Sequence, residues 1–269
     1  MYPEIHFTLV NLNIKLYGAM NLAGLLAFLT IGQFLTRSEP DQRWRWWWLF
    51  LGMFLCYSIG ANALASVMRG GIEGLRTSLL FGTGGRFGYW GGPLLFVIWT
   101  GLSYLTWRIS PYPFLDVFAV AWSVAHIFAK IGCLCCGCCF GRSTELPWGL
   151  MLDSLDDHVP RHPTQLYEIT EHTLTATLLL SLFMLGKFRG RLILLLGCCH
   201  GIASPVIESF EERSRHPITG DPLSGSQMVC LWAFVFSATV LFLDIRRKTE
   251  NPSAAAQGGK LNGSRPSRN

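Results

Sequence analysis

The chain carries little charge for its length. Aspartate, glutamate, lysine and arginine make up 14% of the 269 residues, whereas a soluble domain usually carries about a quarter. Half of the residues are hydrophobic, and the small excess of basic residues lies in short clusters between apolar runs. The composition therefore favours a membrane protein and gives no indication of nucleic-acid binding.

Three familiar sequence signals are also lacking. The N-terminal segment has no basic region followed by a small-residue cleavage site, so we expect no cleaved signal peptide. The glycine-rich stretch before the third apolar run follows no predicted strand, which argues against a phosphate-binding loop or a dinucleotide fingerprint. Nine cysteines are present, but their spacing is not the paired CxxC of a common structural zinc site.

Apolar runs of nearly membrane-spanning length recur along the chain. A transmembrane helix needs about 20 mostly apolar residues. We therefore predict an all-α integral membrane fold with about seven transmembrane helices, in one membrane domain over residues 1–248. The predicted spans lie near residues 14–36, 46–67, 89–107, 114–132, 166–186, 191–209 and 227–245. Residues 249–269 have the composition of a disordered cytoplasmic tail.

Basic residues predict the orientation of these spans. Ten arginines and lysines follow the first, third, fifth and seventh spans, and such residues are enriched on the cytoplasmic side. The chain would then be a multi-pass inner-membrane protein with its N-terminus outside and its C-terminus inside. The loops near 68–88, 133–165 and 210–226 would face outward. Arginines in these outer loops oppose the bias, which makes them candidates for binding lipid phosphate.

The outer loop at 133–165 has the most unusual composition. Five cysteines fall within seven residues, as CxCCxCC at 133–139, directly before Gly141 and Arg142. The octapeptide RHPTQLYE follows at 161–168 and enters the fifth span. Polar side chains that enter hydrocarbon are costly and are usually retained for function. We therefore expect an irregular outward-facing loop region over a lipid-binding cavity.

The cysteine cluster has three interpretations. Two thiols could form a disulfide, since an oxidising compartment permits one. A thiol near Lys130 and Arg142 could act as a nucleophile, because both positive charges favour the thiolate. Thiolates together with Cys198, Cys199 and His200 could instead bind zinc or Cu(I).

Ionisable residues also lie within the predicted spans. His126 and Lys130 are four residues apart and share a helix face, as do Glu168 and His172. Lys130, at the outer end of its span, could extend towards the interface or bind a phosphate. Tyr17 lies near the outer end of the first span, where it could be an interfacial aromatic residue or a binding residue.

The order of these motifs resembles the bacterial prolipoprotein diacylglyceryl transferase family over most of the chain, from about residue 17 to residue 227. The most specific matches are GRSTELPWG at 141–149 and RHPTQLYE at 161–168. Weaker matches are Tyr17 with Gly18, Gly91 with Gly92, Glu208, and Ser224 with Gln227. The resemblance implies seven spans in the bacterial inner membrane, with the N-terminus outside and the C-terminus inside.

The resemblance also implies an activity. Members transfer the diacylglyceryl group of phosphatidylglycerol to the lipobox cysteine in the signal peptide of a preprolipoprotein and release glycerol phosphate, without a metal or organic cofactor. In this role Lys130, Arg142 and Arg161 would hold the phosphate, and His200 would be the candidate base. The clustered thiols that could take part are Cys133, Cys138 and Cys139. The implied substrate-binding residues are Tyr17, Trp90, Gly91, Gly92, Arg161, His162, Gln165, Tyr167, Glu168 and Glu208.

At several positions the chain departs from the family pattern. Trp90 stands in place of a histidine, Lys130 of an arginine, Cys133 of an asparagine, Cys138 of a glutamate, His200 of a tyrosine and Ser204 of an arginine. These departures favour two alternatives to the transferase. One is a catalytically altered or inactive homologue that binds lipid. The other is a membrane thiol–disulfide or metal-handling protein that uses the CxCCxCC cluster.

Overall fold

The fold is mainly helical, as predicted, with a short pair of strands at its start. The computed structural model describes residues 4–7, 12–37, 44–53, 55–56, 91–107, 112–151, 159–212 and 223–250. Strands β1 (Glu4–Phe7) and β2 (Leu12–Lys15) pair antiparallel, which was not predicted. The helices are α1 (Leu16–Leu35), α2 (44–53), α3 (Gly91–Trp107), α4 (Tyr112–Cys136), α5 (Thr164–Met184), α6 (Leu192–Glu208) and α7 (Gly225–Glu250).

Each predicted span overlaps one of these helices. Three described helical stretches are long and apolar enough to cross a membrane: Leu16–Leu35, Tyr112–Cys135 and Ser226–Arg247. Helix α4 extends beyond the predicted end of the fourth span near residue 132, to Cys136, and so includes the first of the clustered cysteines. Helix α7 also runs further than its predicted span. Most of the predicted span at 46–67, and the tail after residue 250, lie outside the described residues.

Glycines end α4 and α5 at defined points. Gly137 has a φ of 68°, and the amide of Cys138 donates back to the carbonyl of Cys133 at 3.1 Å. Gly186 has a φ of 64°, and the next amide, that of Lys187, also donates back into its helix. Both patterns close a helix through a left-handed residue, a conformation that glycine adopts without steric cost. The turn after α4 is the one that positions the clustered cysteines.

The chain divides into two compact units, one formed by residues 28–121 and one by residues 1–27 with 122–269. The first has an aromatic core in which the ring centroid of Trp46 lies 5.3 Å from that of Phe28 and 5.1 Å from that of Phe114. The second contains α5, α6, α7 and the loop that joins α4 to α5. The candidate functional residues other than those at 90–92 therefore belong to the second unit.

Small residues bring the helices of the second unit together. A side chain at Gly201 of α6 would lie 2.7 Å from the carbonyl oxygen of Cys230 and 2.8 Å from Cβ of Phe234, both on α7. Close approach through glycine is typical of helix packing in membranes. On the outer surface of the same unit, Leu178 and Trp232 are exposed, as expected of side chains that face lipid tails.

Candidate active site

Hydrogen bonds join three loop segments, residues 140–143, 160–162 and 209–212, which we call the loop core. The Gly141 amide donates to the His162 carbonyl at 3.0 Å, and the His162 amide donates to the Arg142 carbonyl at 2.9 Å. The Arg142 amide donates to the Phe210 carbonyl at 2.8 Å. Arg161 pairs with the residue after Arg142 in an antiparallel bridge. The two loop arginines are therefore held on adjoining backbone segments.

Gly141 permits this close approach. Its position is buried, and a Cβ there would lie 2.5 Å from both Cβ and the carbonyl oxygen of His162 and 2.9 Å from the carbonyl oxygen of Phe210. Two of these three atoms belong to the backbone and cannot move without breaking the loop core. The glycine of the GRSTELPWG motif is thus required because no side chain fits at this position.

The two arginines of the loop core have different surroundings. Nη1 of Arg161 lies 3.3 Å from Oε2 of Glu212, and its guanidinium lies 5.1 Å from the ring centroid of Phe140. The Nε atom of Arg142 is buried, and among the described residues the Arg142 side chain has no hydrogen-bond or ion-pair partner. Arg142 is therefore a positive charge that an anionic ligand could bind.

The RHPTQLYE segment supports the loop from the side. The hydroxyl of Tyr167 accepts a hydrogen bond from Nε1 of Trp148 at 2.9 Å and lies 3.1 Å from Nδ1 of His162. The His162 ring lies 4.9 Å from that of Phe210, measured between centroids. These contacts fix the outer part of the loop against the start of α5.

The first residues of α5 hold the turn that carries the cysteines. Oγ1 of Thr164 donates to the Cys139 carbonyl at 2.6 Å, and Nε2 of Gln165 donates to the Cys138 carbonyl at 2.6 Å. Both side chains are buried. Cys139 is held at a φ of 54°, a left-handed conformation that residues other than glycine rarely adopt. The turn brings the sulfur atoms of Cys133, Cys138 and Cys139 within 4.8 Å of one another.

This spacing suits two of the chemistries considered for the cysteines. Two of the three thiols could form a disulfide, and thiolates so close together could share a soft metal ion. Cys135 is half-buried, and the side chain of Cys136 lies outside the described part of the chain. The disulfide, nucleophile and metal interpretations therefore all remain predictions.

Lys130 lies between the thiols and the first turns of α5. It forms an ion pair with Glu168, and Nε2 of His126 lies 3.8 Å from the same carboxylate. The side chains of Lys130 and Glu168 are only 15% and 14% exposed. Lys130 also interacts electrostatically with Cys133 and Cys139. The charge of Lys130 is thus neutralised by the carboxylate of Glu168.

Tyr17 of α1 reaches the same thiols. Its ring lies against Gly132 of α4, and it interacts electrostatically with Cys133, Cys138 and Cys139. The structure therefore brings Tyr17 together with the thiols and Lys130. Of the other predicted binding residues, Trp90 lies outside the described residues, and Gly91 with Gly92 form the first turn of α3 in the other unit.

Glu208 connects the end of α6 to the start of α7. Its Oε1 accepts hydrogen bonds from Oγ of Ser224 at 2.7 Å and Oγ of Ser226 at 2.5 Å. Ser224 and Gln227 form a capping box, in which the Gln227 amide donates to Ser224 Oγ at 3.1 Å and the Ser224 amide donates to Gln227 Oε1 at 2.9 Å. These residues, which matched the family pattern only weakly as separate positions, form one hydrogen-bonded unit.

Glu211 is an ionisable residue of the loop core that sequence reasoning missed. It pairs with Gly141 across the loop core. Burial raises the pKa of its carboxyl to about 7, with further raising by the charges of Glu168 and Glu208 and a lowering by Lys130. A carboxyl of this kind can accept and return a proton at neutral pH. No local motif marks it, because its burial depends on segments distant in sequence.

A second polar group, which we call the histidine cluster, consists of His126, Glu171, His172 and His200. The ring centroid of His172 lies 4.1 Å from that of His126 and 5.1 Å from that of His200, and all three rings pack against Trp122. Oε2 of Glu171 lies 3.2 Å from Nδ1 of His172 and 3.6 Å from Nδ1 of His200. Sequence spacing paired His126 with Lys130 and His172 with Glu168, but did not show that α4, α5 and α6 bring three histidines together.

Comparison with known proteins gives consistent matches along the chain. The sequence model of one family, prolipoprotein diacylglyceryl transferase, matches residues 4–243. A curated relative from Campylobacter jejuni, named phosphatidylglycerol–prolipoprotein diacylglyceryl transferase, is 26% identical over 267 residues, covering 91% of this chain and 93% of the relative. Relatives with the same name from Clostridium tetani and Campylobacter lari are 29% identical over 137 residues and 34% identical over 102 residues. These cover 50% and 38% of this chain, and 54% and 36% of the respective relatives.

Proposed function

The chain belongs to the prolipoprotein diacylglyceryl transferase family, and we propose that it transfers the diacylglyceryl group of phosphatidylglycerol to a cysteine thiol of a preprolipoprotein. Both substrates are those in the names of its relatives. The observation that carries the proposal is the loop core, which contains both Arg142 and Glu211, a carboxyl whose pKa burial raises to about 7. Anion binding and proton acceptance are the two functions that this reaction requires.

The reaction is a substitution at carbon. The sulfur of the acceptor cysteine attacks the glyceryl carbon that bears the phosphate, so that a carbon–sulfur bond forms and a carbon–oxygen bond breaks. Glycerol phosphate leaves with the electron pair of the broken bond, and the thiol proton passes to a base. The step is neither an oxidation nor a reduction.

The phosphate binds to basic residues of the loop core. Arg142 is the main ligand, since its guanidinium has no partner among the described residues and can contact two phosphate oxygens at once. Arg161 lies on the adjoining segment and is held by Glu212. Lys130 contributes to the same positive field while it remains paired with Glu168.

We assign proton acceptance to Glu211. Its raised pKa, about 7, suits a base that works at neutral pH, and it lies across from Gly141 in the loop core. His200 was the candidate base from the sequence alone. Its contacts are with Trp122 and the other members of the histidine cluster, so we propose that it acts there.

The remaining predicted binding residues position the loop around the substrates. Gln165 fixes the cysteine turn, Tyr167 and His162 fix the outer loop, and Glu208 joins α6 to α7. Tyr17 lies beside the thiols, where a lipid glycerol or the acceptor cysteine would approach. The clustered thiols themselves line this approach.

The reaction also requires a particular orientation of the protein in the membrane. The seven predicted spans cross the bacterial inner membrane with the N-terminus outside and the C-terminus inside. The loop core then faces outward, and the signal peptide with its lipobox cysteine enters from the lipid between helices. Phosphatidylglycerol reaches the loop core from the outer leaflet.

Complementation tests the proposal directly. The full-length chain is expressed in bacterial cells depleted of their own transferase, and a reporter lipoprotein is analysed by mass spectrometry. The expected result is growth together with the mass increase of one diacylglyceryl group on the lipobox cysteine. An unmodified reporter, with the chain present in the membrane in normal amount, would contradict the proposal.

A lipid-binding homologue without transferase activity gives a different result in a second assay. Such a protein would retain phosphatidylglycerol through purification but release no glycerol phosphate when supplied with a lipobox peptide. An active transferase releases one glycerol phosphate for each peptide modified. The ratio of bound lipid to released product therefore distinguishes the two functions.

A further inference from the structure

The histidine cluster has the composition of a metal site and lies outside the loop core. Two of its imidazoles and its carboxylate come together, and such nitrogen and oxygen ligands suit divalent zinc and neighbouring transition metals. One ligand atom from each of Glu171, His172 and His200 lies within 4.8 Å of the other two. The His126 ring packs against that of His172, with ring centroids 4.1 Å apart, while its Nε2 faces Glu168.

The state of His172 indicates that this group binds a ligand. Its side chain is fully buried, and neither ring nitrogen has a hydrogen bond to any described residue. Nδ1 lies 3.2 Å from Glu171 Oε2, but the orientation does not make a hydrogen bond. The Nδ1 atom of His200 is also buried without a hydrogen bond to the described residues. Buried polar atoms are nearly always satisfied, so these nitrogens require a further partner.

The carboxylate of the group is already oriented towards two of the three unsatisfied nitrogens, the Nδ1 atoms of His172 and His200. Oε1 of Glu171 accepts a hydrogen bond from Oγ1 of Thr175 at 3.0 Å, one helical turn along α5. Its other oxygen, Oε2, faces Nδ1 of both His172 and His200. A partner that holds one oxygen and leaves the other for an ion is the usual arrangement around metal-binding carboxylates.

The depth of the group in the membrane supports the same conclusion. His126, His172 and His200 each lie several residues inside a helix. The depth is counted from the end of α4, the start of α5 and the end of α6, which adjoin the loop core. Ionisable residues at such a depth are rare and are retained for function. A structural explanation by packing alone would not require three imidazoles around one indole.

We propose that Glu171, His172 and His200 form a site for one divalent transition-metal ion of the zinc type, embedded between α5 and α6. The ion binds one nitrogen of each of the two histidines and one carboxylate oxygen, and it links the two helices. This site does not depend on the proposed transferase activity, and the thiols of the cysteine cluster are not among its ligands.

Metal analysis of the purified full-length chain tests the site. Cells are grown with added zinc, and the protein is purified in detergent, washed with a chelator and analysed by elemental mass spectrometry. We expect about one zinc per chain. Glu171→Gln and His172→Gln should each lower the zinc content at least about tenfold, since each removes a ligand.

Two controls separate this site from others. His162→Gln removes a histidine of the loop core that pairs with Tyr167, and should leave the zinc content unchanged. The triple variant Cys133→Ser, Cys138→Ser and Cys139→Ser should also retain zinc. Loss of zinc in the triple variant, with zinc retained in His172→Gln, would assign the ion to the thiols and overturn the proposal.

Cobalt substitution gives a readout that does not depend on stoichiometry. Co(II) bound to imidazole and carboxylate has visible absorption bands but lacks the intense near-ultraviolet bands that thiolate ligands produce. We expect the visible absorption bands without the intense near-ultraviolet bands. If His172→Gln does not fold, Glu171→Gln and His200→Gln, checked for monodispersity by size-exclusion chromatography, serve in its place. A folded wild-type protein that takes up neither zinc nor cobalt would overturn the proposal.

Discussion

The basic residues near the loop core differ in whether a carboxylate neutralises them. Lys130 is paired with Glu168, and Arg161 with Glu212. Arg142 has no such partner among the described residues, although its Nε atom is buried. Arg142 as a whole is half-buried. Removing part of a cation from water without a counter-charge is costly, and a bound phosphate would offset that cost. Arg142 is therefore the residue whose loss should affect lipid binding most.

Arg142→Ala should lower the transfer rate at least about 100-fold, since the charged hydrogen bonds to phosphate are lost. Arg142→Lys should retain part of the activity, because lysine keeps the charge but not the two-pronged geometry. Release of glycerol phosphate from phosphatidylglycerol by the purified variants measures both effects.

The matched control is Arg246→Ala. Arg246 is exposed near the end of α7 and pairs with Glu250 one turn away. Its removal should leave the rate unchanged. A parental rate in Arg142→Ala would show that the phosphate binds elsewhere.

Glu211 shows how burial changes the protonation of one carboxyl. Its pKa is raised to about 7, by burial first and then by Glu168 and Glu208, with Lys130 acting in the opposite direction. In the unfolded chain it would titrate near the usual value for glutamate, about 4.3. Between these two pH values the unfolded chain loses the proton while the folded chain keeps it. This residue therefore makes the free energy of unfolding fall as pH rises from about 4.3 to 7.

Glu211→Gln should remove that dependence. The variant should be more stable than the parent at pH 8, by at most roughly 4 kcal/mol, and equally stable near pH 4. Thermal unfolding in detergent at both pH values measures the difference. A stability gain at pH 4 but not at pH 8 would contradict the assigned direction. The same variant should lose transferase activity at all pH values, because an amide cannot accept the proton.

At the scale of structural elements, the loop core is built from backbone contacts instead of a regular sheet. Its three segments meet through a few backbone hydrogen bonds, and Gly141 lies where all three approach. The neighbouring turn is held by two buried side chains from the start of α5. Such a structure tolerates change in exposed side chains but not at the point of contact.

Gly141→Ala should disrupt this element. The added Cβ would lie 2.5 Å from the His162 carbonyl oxygen and 2.9 Å from the Phe210 carbonyl oxygen, so the backbone segments must separate. We expect a loss of at least about 2 kcal/mol in the free energy of unfolding, together with loss of activity. Denaturant unfolding measures the change in the free energy of unfolding, and glycerol phosphate release measures the activity.

Gly101→Ala is the matched control. Gly101 lies in α3, and a Cβ there would meet no atom within 4 Å. Since alanine favours helix over glycine, this variant should be at least as stable as the parent. If Gly141→Ala and Gly101→Ala change the free energy of unfolding equally, close packing at Gly141 does not determine the stability of the loop core.

At the scale of the whole molecule, the distribution of basic residues predicts the orientation in the membrane. Alkaline phosphatase folds only outside the cytoplasm, so fusions to it report the side of each loop. A fusion after Met151 should be active, because four predicted spans precede it and the N-terminus is predicted to lie outside. Fusions after Lys187 or at the C-terminus should be inactive. The reverse pattern would place the loop core in the cytoplasm and exclude the proposed access from the outer leaflet.

The sequence by itself determined the helices and the family. Backbone amides and carbonyls have no other partners in hydrocarbon, so a long apolar run must be helical, and each predicted span overlaps a helix. The motifs at 141–149 and 161–168 identified the family from residues adjacent in sequence. Spacing of four residues also indicated that His126 with Lys130, and Glu168 with His172, share helix faces.

Only the tertiary structure decided which of these polar residues meet. The distance between the thiols, the raised pKa of Glu211 and the group formed by His126, His172 and His200 all depend on contacts between helices far apart along the chain. Periodicity reports which face of a helix a residue occupies, but not how each helix is rotated and shifted against its neighbours. That rotation is set by close packing at small residues such as Gly132 and Gly201, and it brought the ionisable side chains together.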